Sequence, residues 1–236
     1  LPLGGTAVGT GINCPKDFSK ESIKSISEYT GLFFYKSKNH CSLMASHYRL
    51  AQVMGQIKIL ASALFKISND IKILSSGPRS GIYELIIPQN EPGSSIMPGK
   101  VNPTQCEALS MVCTQVMGFE YAVSIANASG TLQMNEYKPL IGFNILTSIK
   151  LLIHAISNFR LKLVEGIQPN PKTIKANLEN SLMLVTALVP KIGYEKAAEI
   201  ANLAFNESIN LKEATIKLGY LTANDFEDAI NTNKMI

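Results

Sequence analysis

The stretch Glu91-Pro-Gly-Ser-Ser-Ile-Met-Pro-Gly-Lys-Val-Asn102 sets the organisation of the rest of the chain. The surrounding segment, residues 77–103, holds too many prolines and glycines for a regular helix or a central strand. It also carries more apolar side chains than a solvated linker needs. Long ordered loops between helices are usually functional, so we predict an ordered, partly buried loop. Four of its polar side chains would face a ligand: Ser94, Ser95, Lys100 and Asn102.

Long helices are predicted on both sides of this loop. Apolar residues recur at alternating spacings of four and three from Asn39 to Leu74, which predicts one helix roughly 50 Å long. A second helix is predicted over 103–130, where Thr104 and Glu107 have the spacing of a capping box. A third, over 139–165, is apolar nearly all round. The pattern therefore predicts an all-α fold built on a long-helix central bundle.

The helices shorten towards the C-terminus. Prolines, glycines and asparagines divide the sequence into predicted helices at 171–189, 194–208, 211–218 and 222–230. We therefore predict two domains: residues 1–168, which form part of the bundle and contain the loop segment 76–103, and a small helical domain, residues 169–236. One short strand is predicted near 83–87.

Composition excludes several classes of protein. The net charge of +4 is spread along the 236 residues without a block of like charges, so neither a nucleic-acid nor a membrane-surface role is expected. The four cysteines show no Cys-x-x-Cys or Cys/His cluster, so neither a zinc site nor a secreted disulfide framework is indicated, and we expect a reducing compartment. No uninterrupted apolar run reaches the roughly 18 residues of a membrane span, and no signal-peptide pattern opens the chain.

The N-terminal segment 1–13 is rich in glycine, but its pattern does not match a dinucleotide-binding motif. Gly9-Thr-Gly11 lacks both the preceding strand and the third glycine of the dinucleotide fingerprint. Close packing against another helix is the favoured interpretation. Because Leu1 opens directly onto this motif without an initiator methionine, we expect the chain to be part of a longer protein.

The residues of the central loop limit the chemistry that it can support. A Walker A motif is rejected, because the spacing is one residue too long and Val101 replaces the required Ser or Thr. What remains is a glycine-flexed turn, Lys100, and Asn102 before a helix N-terminus with a positive partial charge. These features suit a small carboxylate. The residues alone leave an anion-binding loop and a purely structural loop equally open.

The loop also resembles a known family. Gly93-Ser-Ser-Ile-Met-Pro-Gly-Lys-Val-Asn-Pro103 is similar to the signature of the fumarase/aspartase superfamily. Asn90-Glu-Pro before it and Thr104-Gln-Cys-Glu-Ala108 after it resemble the class II fumarases. Segments at 3–13, 76–81, 181–188 and 192–198 look like fumarase segments in their usual order, and the whole chain resembles the C-terminal half of such an enzyme.

This resemblance implies a fold, an activity and an assembly. It implies a homotetramer on a central helical bundle that hydrates fumarate reversibly to L-malate in the tricarboxylic acid cycle, with no metal or organic cofactor. In that family three segments from three subunits build each active site, and this chain matches only the third. We therefore expect the chain alone to be inactive.

The resemblance also implies roles for individual residues. Ser94 would remove the carbon-bound proton of malate, with Ser95 beside it. Lys100 and Asn102 would bind a substrate carboxylate and the negative charge of an aci-carboxylate intermediate. Glu107 would orient a histidine that handles the water molecule. That histidine matches none of the three in the chain, His40, His47 and His154, and we expect His47 to be a hydrogen-bonded core or interface residue.

Several positions depart from the pattern of the family, and they bear on packing more than on chemistry. Tyr83 stands where glycine is usual, Gln89 where glutamate is common, and Glu136 at a usually apolar position. Val189 and Lys191 replace an expected asparagine and histidine.

Two other functions stay open. One is another lyase of the superfamily, such as an aspartate ammonia-lyase, and the other is a truncated, non-catalytic oligomerising protein. The expected compartment is the cytoplasm, with the mitochondrial matrix as the alternative.

Overall fold

The structure, a computed structural model, describes residues 1–93 and 96–230. The chain folds into two compact units. One combines Leu1–Ser76 with Ile87–Ile167, and the other combines Gly77–Ile86 with Gln168–Ile236. Residues 77–86, which the sequence analysis assigned to the bundle, thus belong with the C-terminal unit.

Long helices dominate the first unit, as the sequence predicts. In chain order they are α1 (Phe18–Thr30), α2 (His40–Ala45), α3 (Tyr48–Leu74), α4 (Thr104–Ala128) and α5 (Lys138–Lys162), followed by a 3-10 turn at Val164–Gly166. Helix α4 packs against both α3 and α5. The core between these helices is mainly apolar and includes the buried side chains of Met54, Leu109, Val116 and Ile141. A few hydroxyl and amide side chains are buried as well.

The predicted single helix from 39 to 74 is wrong, because the chain breaks between α2 and α3. Ser46 adopts an extended conformation (φ −149°, ψ 156°), and its hydroxyl donates to the Ser42 carbonyl at 3.0 Å. His47 follows and is buried, with Nε2 2.9 Å from the Asn135 carbonyl oxygen. A carbonyl only accepts, so Nε2 carries the proton. The predicted hydrogen-bonded core histidine is confirmed.

Close packing of the glycine-rich N-terminal segment is confirmed. A Cβ placed on Gly9 would lie 2.4 Å from the Cys41 backbone nitrogen and 2.7 Å from the His40 carbonyl carbon. No side chain fits in that space. Gly9 also has a φ of +92°, which only glycine adopts readily. The segment therefore lies directly against the first turn of α2.

The second unit contains short elements. They are β1 (Leu85–Ile86), β2 (Gln168–Pro169), α6 (Pro171–Asn180), α7 (Val189–Ile192), α8 (Tyr194–Glu207), α9 (Leu211–Lys217) and α10 (Ala223–Ala229), with a 3-10 helix at Leu182–Leu188. The strands pair antiparallel, and Leu85 lies opposite Pro169. The short strand near 83–87 is confirmed. The predicted helix over 171–189 is wrong, because Ser181 is extended (φ −72°, ψ 119°) and ends α6.

The turn before β1 contains a strained residue. Tyr83, which stands where the resembling family usually has glycine, has a φ of +48°. Such a conformation costs an L-residue roughly 1–2 kcal/mol. Hydrogen bonds within the second unit hold the turn: Asn170 Nδ2 donates to the Tyr83 carbonyl at 3.1 Å, and the Asn170 backbone donates to the Glu84 carbonyl at 2.8 Å.

Large apolar side chains stay exposed on the long helices. On α3, Ile59 is 59% exposed, and on α5 Phe143, Leu146 and Ile153 are 64%, 70% and 61% exposed. By length and composition alone, α3, α4 and the stretch Lys138–Gly166 are apolar enough to cross a membrane. No uninterrupted apolar run marks these helices in the sequence, because a few polar residues interrupt each one. The expectation of no membrane association stays a prediction.

Candidate active site

The loop between α3 and α4 is held at its middle, just before the signature stretch, by the end of α5. Asn90 Nδ2 donates a hydrogen bond to the Lys162 carbonyl at 2.9 Å. A Cβ on Gly166 would lie 2.6 Å from Pro88 Cγ, so the Pro88 ring packs directly on the backbone of the 3-10 turn after α5. The loop therefore leaves from a defined place at this end of the first unit.

The loop then folds back on itself at Gly93 and Lys100. A Cβ on Gly93 would lie 2.3 Å from the Lys100 carbonyl oxygen, so only glycine fits there. The return is made by a turn in which the Lys100 N–H donates to the Met97 carbonyl at 3.3 Å and Gly99 has a φ of +78°. We call this contact between Gly93 and Lys100 the loop neck. Ser94 and Ser95, the predicted base and its neighbour, lie outside the described residues.

The described part of the loop beyond the neck is more exposed than predicted. Ile96 is 81% exposed, Met97 47% and Val101 41%. The prediction that the loop's apolar side chains are partly buried is therefore wrong for these three residues within the single chain. Their exposure leaves an apolar surface beside the polar side chains that the motif singled out.

The predicted substrate-binding residues immediately precede α4. Lys100 is exposed and Asn102 is half-buried. The first backbone N–H groups of a helix have no partner within the helix and carry its positive partial charge. No side chain caps them here, since the N-cap residue is Pro103. The lysine, the asparagine amide and the helix start together favour a bound carboxylate.

The predicted capping box at Thr104 and Glu107 is wrong. Thr104 lies inside the first turn of α4, one residue past the N-cap position, and the Glu107 N–H instead donates to the Pro103 carbonyl at 3.1 Å. The Thr104 hydroxyl is buried without a hydrogen-bond partner among the described residues. Glu107 itself is exposed in the first turn, where a carboxylate is favourable. Its carboxylate is therefore open to a partner from outside this helix.

A cation that sequence reasoning missed lies at the same end of the bundle. Lys72 is half-buried in the last turn of α3, and its charge acts on the thiol of Cys106 in α4. Burial nevertheless raises the pKa of Cys106 to about 11, because desolvation outweighs the attraction of Lys72. The Cys106 thiol is thus neutral at physiological pH. The sequence did offer a signal for Lys72: it is a lysine in the last turn of the predicted helix that precedes the motif.

The histidines do not join this site. His40 is the first residue of α2, Nε2 of the buried His47 is hydrogen-bonded to the Asn135 carbonyl, and His154 is exposed on α5. Within residues 1–93 and 96–230, no group of three His, Cys, Asp or Glu side chains is arranged to hold a metal ion. The arrangement that the chain supplies is therefore a cationic, anion-accepting loop and helix start, with a carboxylate one turn further on.

The fold and the loop define an all-α protein with an anion-binding loop at the start of a long helix. The family model described as Lyase matches residues 1–118, and the model described as Fumarase C C-terminus matches residues 184–236. The chain therefore belongs to the lyase family.

Individual relatives are more specific. The chain is 98% identical, over all of its 236 residues, to a class II fumarate hydratase of Prochlorococcus marinus subsp. pastoris, and covers 51% of that protein. It is 53% identical over 235 residues to the class II fumarate hydratase of Listeria monocytogenes, covering 52% of it. The crystal structure of class II fumarase from Schistosoma mansoni matches 98% of the chain with a TM-score of 0.93 and 41% identity, and 51% of that chain is covered. The chain thus spans about half the length of these relatives.

Proposed function

We propose that this chain supplies one segment of an active site that hydrates fumarate reversibly to L-malate, a reaction of the tricarboxylic acid cycle. The observation that carries the proposal is the signature loop, with Lys100 and Asn102 at the uncapped start of α4. The high identity to class II fumarate hydratases supports the same substrate. The reaction needs no cofactor in this proposal.

The chemistry requires positive charge where negative charge develops. Removal of a proton next to a carboxylate of malate places a second negative charge on that group. Lys100, the Asn102 amide and the α4 N-terminus stabilise this charge more than they stabilise the ground state, which is how binding groups accelerate a reaction. Ser94 is the proposed base, with Ser95 beside it, and Glu107 orients a histidine that comes from another segment.

We further infer that the protein works as a homotetramer with active sites shared between subunits. Two observations support this. Glu107 has no hydrogen bond or ion pair to a histidine among the described residues, and α5 exposes the large apolar side chains of Phe143, Leu146 and Ile153. Exposed apolar patches of this kind mark interaction surfaces. We infer the cytoplasm as the compartment, with the mitochondrial matrix as the alternative; the bacterial origin of the first relatives supports the cytoplasm.

The test is a complementation assay that follows fumarate formation from L-malate by ultraviolet absorbance. We expect no activity from the 236-residue chain alone, and activity after refolding with the N-terminal half of the Listeria fumarate hydratase. In the mixture, Lys100→Met should lower kcat/KM by about 10²-fold or more, as loss of one charge-stabilising group does. Lys172→Met, which removes an exposed lysine of α6, is the matched control and should leave the rate unchanged.

Each other outcome rejects a defined part of the proposal. Activity of the chain alone would contradict an active site built from several segments. Ammonia release from L-aspartate at a comparable rate would identify an aspartate ammonia-lyase. A folded tetramer that stays inactive after mixing would favour the non-catalytic, oligomerising protein.

A further inference from the structure

A buried serine of α3 is hydrogen-bonded to the first turn of α4. Ser68 lies in α3, and its side chain is fully buried. Its Oγ donates to the backbone carbonyl of Cys106 at 3.1 Å. Cys106 is the third residue of α4, which begins at Thr104. The contact therefore joins α3 to the turn of α4 that directly follows the predicted substrate-binding residues Lys100 and Asn102.

A second serine completes this contact. Ser110 Oγ lies 2.6 Å from Ser68 Oγ. A carbonyl oxygen can only accept, so the single hydroxyl proton of Ser68 goes to Cys106 and Ser110 donates to Ser68. Each hydroxyl thus has one defined role. Buried hydroxyls that are satisfied in this way specify a single arrangement of the elements that carry them.

The hydrogen bond constrains how α4 lies against α3. In an α-helix the Cys106 carbonyl already accepts from the Ser110 N–H, and its second lone pair is available to Ser68. A slide of α4 along α3 by one residue, or a rotation that turns the carbonyl away, would break the contact. The described side chains make one other polar link between the two helices, the ion pair of Lys58 and Glu120 at 3.4 Å. Partly exposed ion pairs constrain geometry weakly, so the register at the start of α4 depends on Ser68.

The same register places a cation beside the start of α4. Lys72 follows Ser68 by four residues, so both side chains lie on one face of α3. Ser68 contacts the backbone of Cys106, and the charge of Lys72 acts on the thiol of that residue. Lys72 is half-buried and forms no ion pair within residues 1–93 and 96–230. Its positive charge is therefore held next to the helix start that favours an anion.

We propose that Ser68 is a positioning residue of the anion-binding site: its hydrogen bond fixes the register of α4 against α3 and keeps Lys72 and the start of α4 together as one positively charged site. This role rests on the proposed function, because it requires a carboxylate bound at the start of α4. Ser68 does not touch the substrate itself, since its side chain is fully buried.

The contact is tested by hydrogen exchange of the 236-residue chain, measured by mass spectrometry. Ser68→Ala should speed exchange in the peptide that covers 104–110 about fivefold, the effect of one lost hydrogen bond on local opening. The peptide that covers 118–128, at the other end of α4, should exchange as before. Equal acceleration in both peptides would indicate a general loss of stability and would overturn the positioning role.

Ser148→Ala is the matched control. Ser148 is also fully buried in a long helix, but its hydroxyl has no hydrogen-bond partner among the described residues. Removing an unpaired buried hydroxyl costs little, so exchange in both peptides should match that of the unmodified protein. Acceleration of the 104–110 peptide by Ser148→Ala as large as that by Ser68→Ala would contradict a specific contact.

The consequence for the site is tested in the mixture with the N-terminal half of the Listeria fumarate hydratase. Ser68→Ala should raise the KM for L-malate and the Ki of succinate, a dicarboxylate that cannot react, by the same factor, roughly threefold to tenfold. Neither constant depends on the fraction of protein that is folded, so a merely structural role would leave both unchanged. Ser110→Ala keeps the hydrogen bond from Ser68 to Cys106 and should raise both constants less. Ser148→Ala should not change them.

These measurements separate the role of Ser68 from the fumarate hydratase function. If the mixture with the unmodified chain is inactive, the fumarate hydratase function is rejected, and the role of Ser68 at the substrate is rejected with it. If that mixture is active but Ser68→Ala leaves KM and Ki unchanged, the fumarate hydratase function stands and the positioning role alone is overturned.

Discussion

At the scale of the residue, two glycines of the signature loop are required for different reasons. Gly93 is needed because the Lys100 carbonyl occupies the place of a side chain. Gly99 is needed for its φ of +78°, while the space around it is open. The first constraint is steric and cannot be relieved without moving the loop, whereas the second is conformational and costs roughly 1 kcal/mol.

Gly93→Ala and Gly99→Ala should therefore behave differently. We expect Gly93→Ala to open the loop neck and to speed tryptic cleavage after Lys100 by roughly tenfold, since local opening by about 1.4 kcal/mol has this effect. Gly99→Ala should change the rate less. Quantitative mass spectrometry of the early peptides measures both rates, with cleavage after Lys172 as the internal reference. Equal rates in the two variants would contradict a loop held closed by the Gly93 contact.

The sequence singles out candidate residues of the loop but does not predict their geometry. Lys100 and Asn102 stand out because a lysine and an asparagine before a helix start have an evident use for an anion. The neck was not predictable, because it depends on a backbone approach that no side-chain pattern records. The capping box failed for a related reason: the spacing from Thr104 to Glu107 makes a cap only when Thr104 is the N-cap residue, and in the structure α4 begins one residue earlier, with Pro103 at that position.

At the scale of the element, the junction between α2 and α3 shows how a distant contact overrides a local pattern. The apolar spacing continues from 39 to 74, so the sequence predicts one helix. The break arises from hydrogen bonds to a segment far along the chain: His47 reaches the Asn135 carbonyl, and the Asn135 N–H donates to the Met44 carbonyl at 2.9 Å. Residues 88 positions apart thus decide where α3 begins.

His47→Ala should destabilise the protein, since it leaves the buried Asn135 carbonyl without its partner. The expected loss in the free energy of unfolding is about 1–3 kcal/mol. His154→Ala, the matched control on the exposed face of α5, should stay within about 0.5 kcal/mol of the unmodified protein. Urea unfolding followed by circular dichroism measures both. A His47 variant as stable as the His154 variant would show that the junction contributes nothing to stability.

At the scale of the whole molecule, composition and periodicity predicted the class of fold but not the extent of its exposed surface. The helix α5 was predicted to be apolar all round, which is compatible with a bundle core or with a subunit contact. In the structure one face of α5 is buried, at Ile141 and Leu152. Another face is exposed to solvent, and Leu146 on it is 70% exposed. A single chain therefore leaves apolar surface that the proposed assembly would cover.

Leu146→Glu should dissociate the proposed assembly, because it places a charge in a contact that excludes water. We expect the mass from size-exclusion chromatography with light scattering to fall to that of a single chain, with the helical circular dichroism retained. Leu178→Glu, on α6 and 40% exposed, makes the same substitution elsewhere and should leave the mass unchanged. If the unmodified protein is already a single chain, or if Leu146→Glu keeps the full mass, α5 is not the contact surface.

The arrangement of α4 and α5 also has a kinetic consequence. These two helices pack against each other and are joined only by residues 129–137, in which Thr131 and Met134 exchange two backbone hydrogen bonds of 2.7 and 3.0 Å. Contacts between neighbouring segments form quickly, since little chain entropy is lost in closing a short connection. We therefore expect this hairpin to form early in folding, and α3, with the longer loop between it and α4, to dock onto a surface that is already ordered.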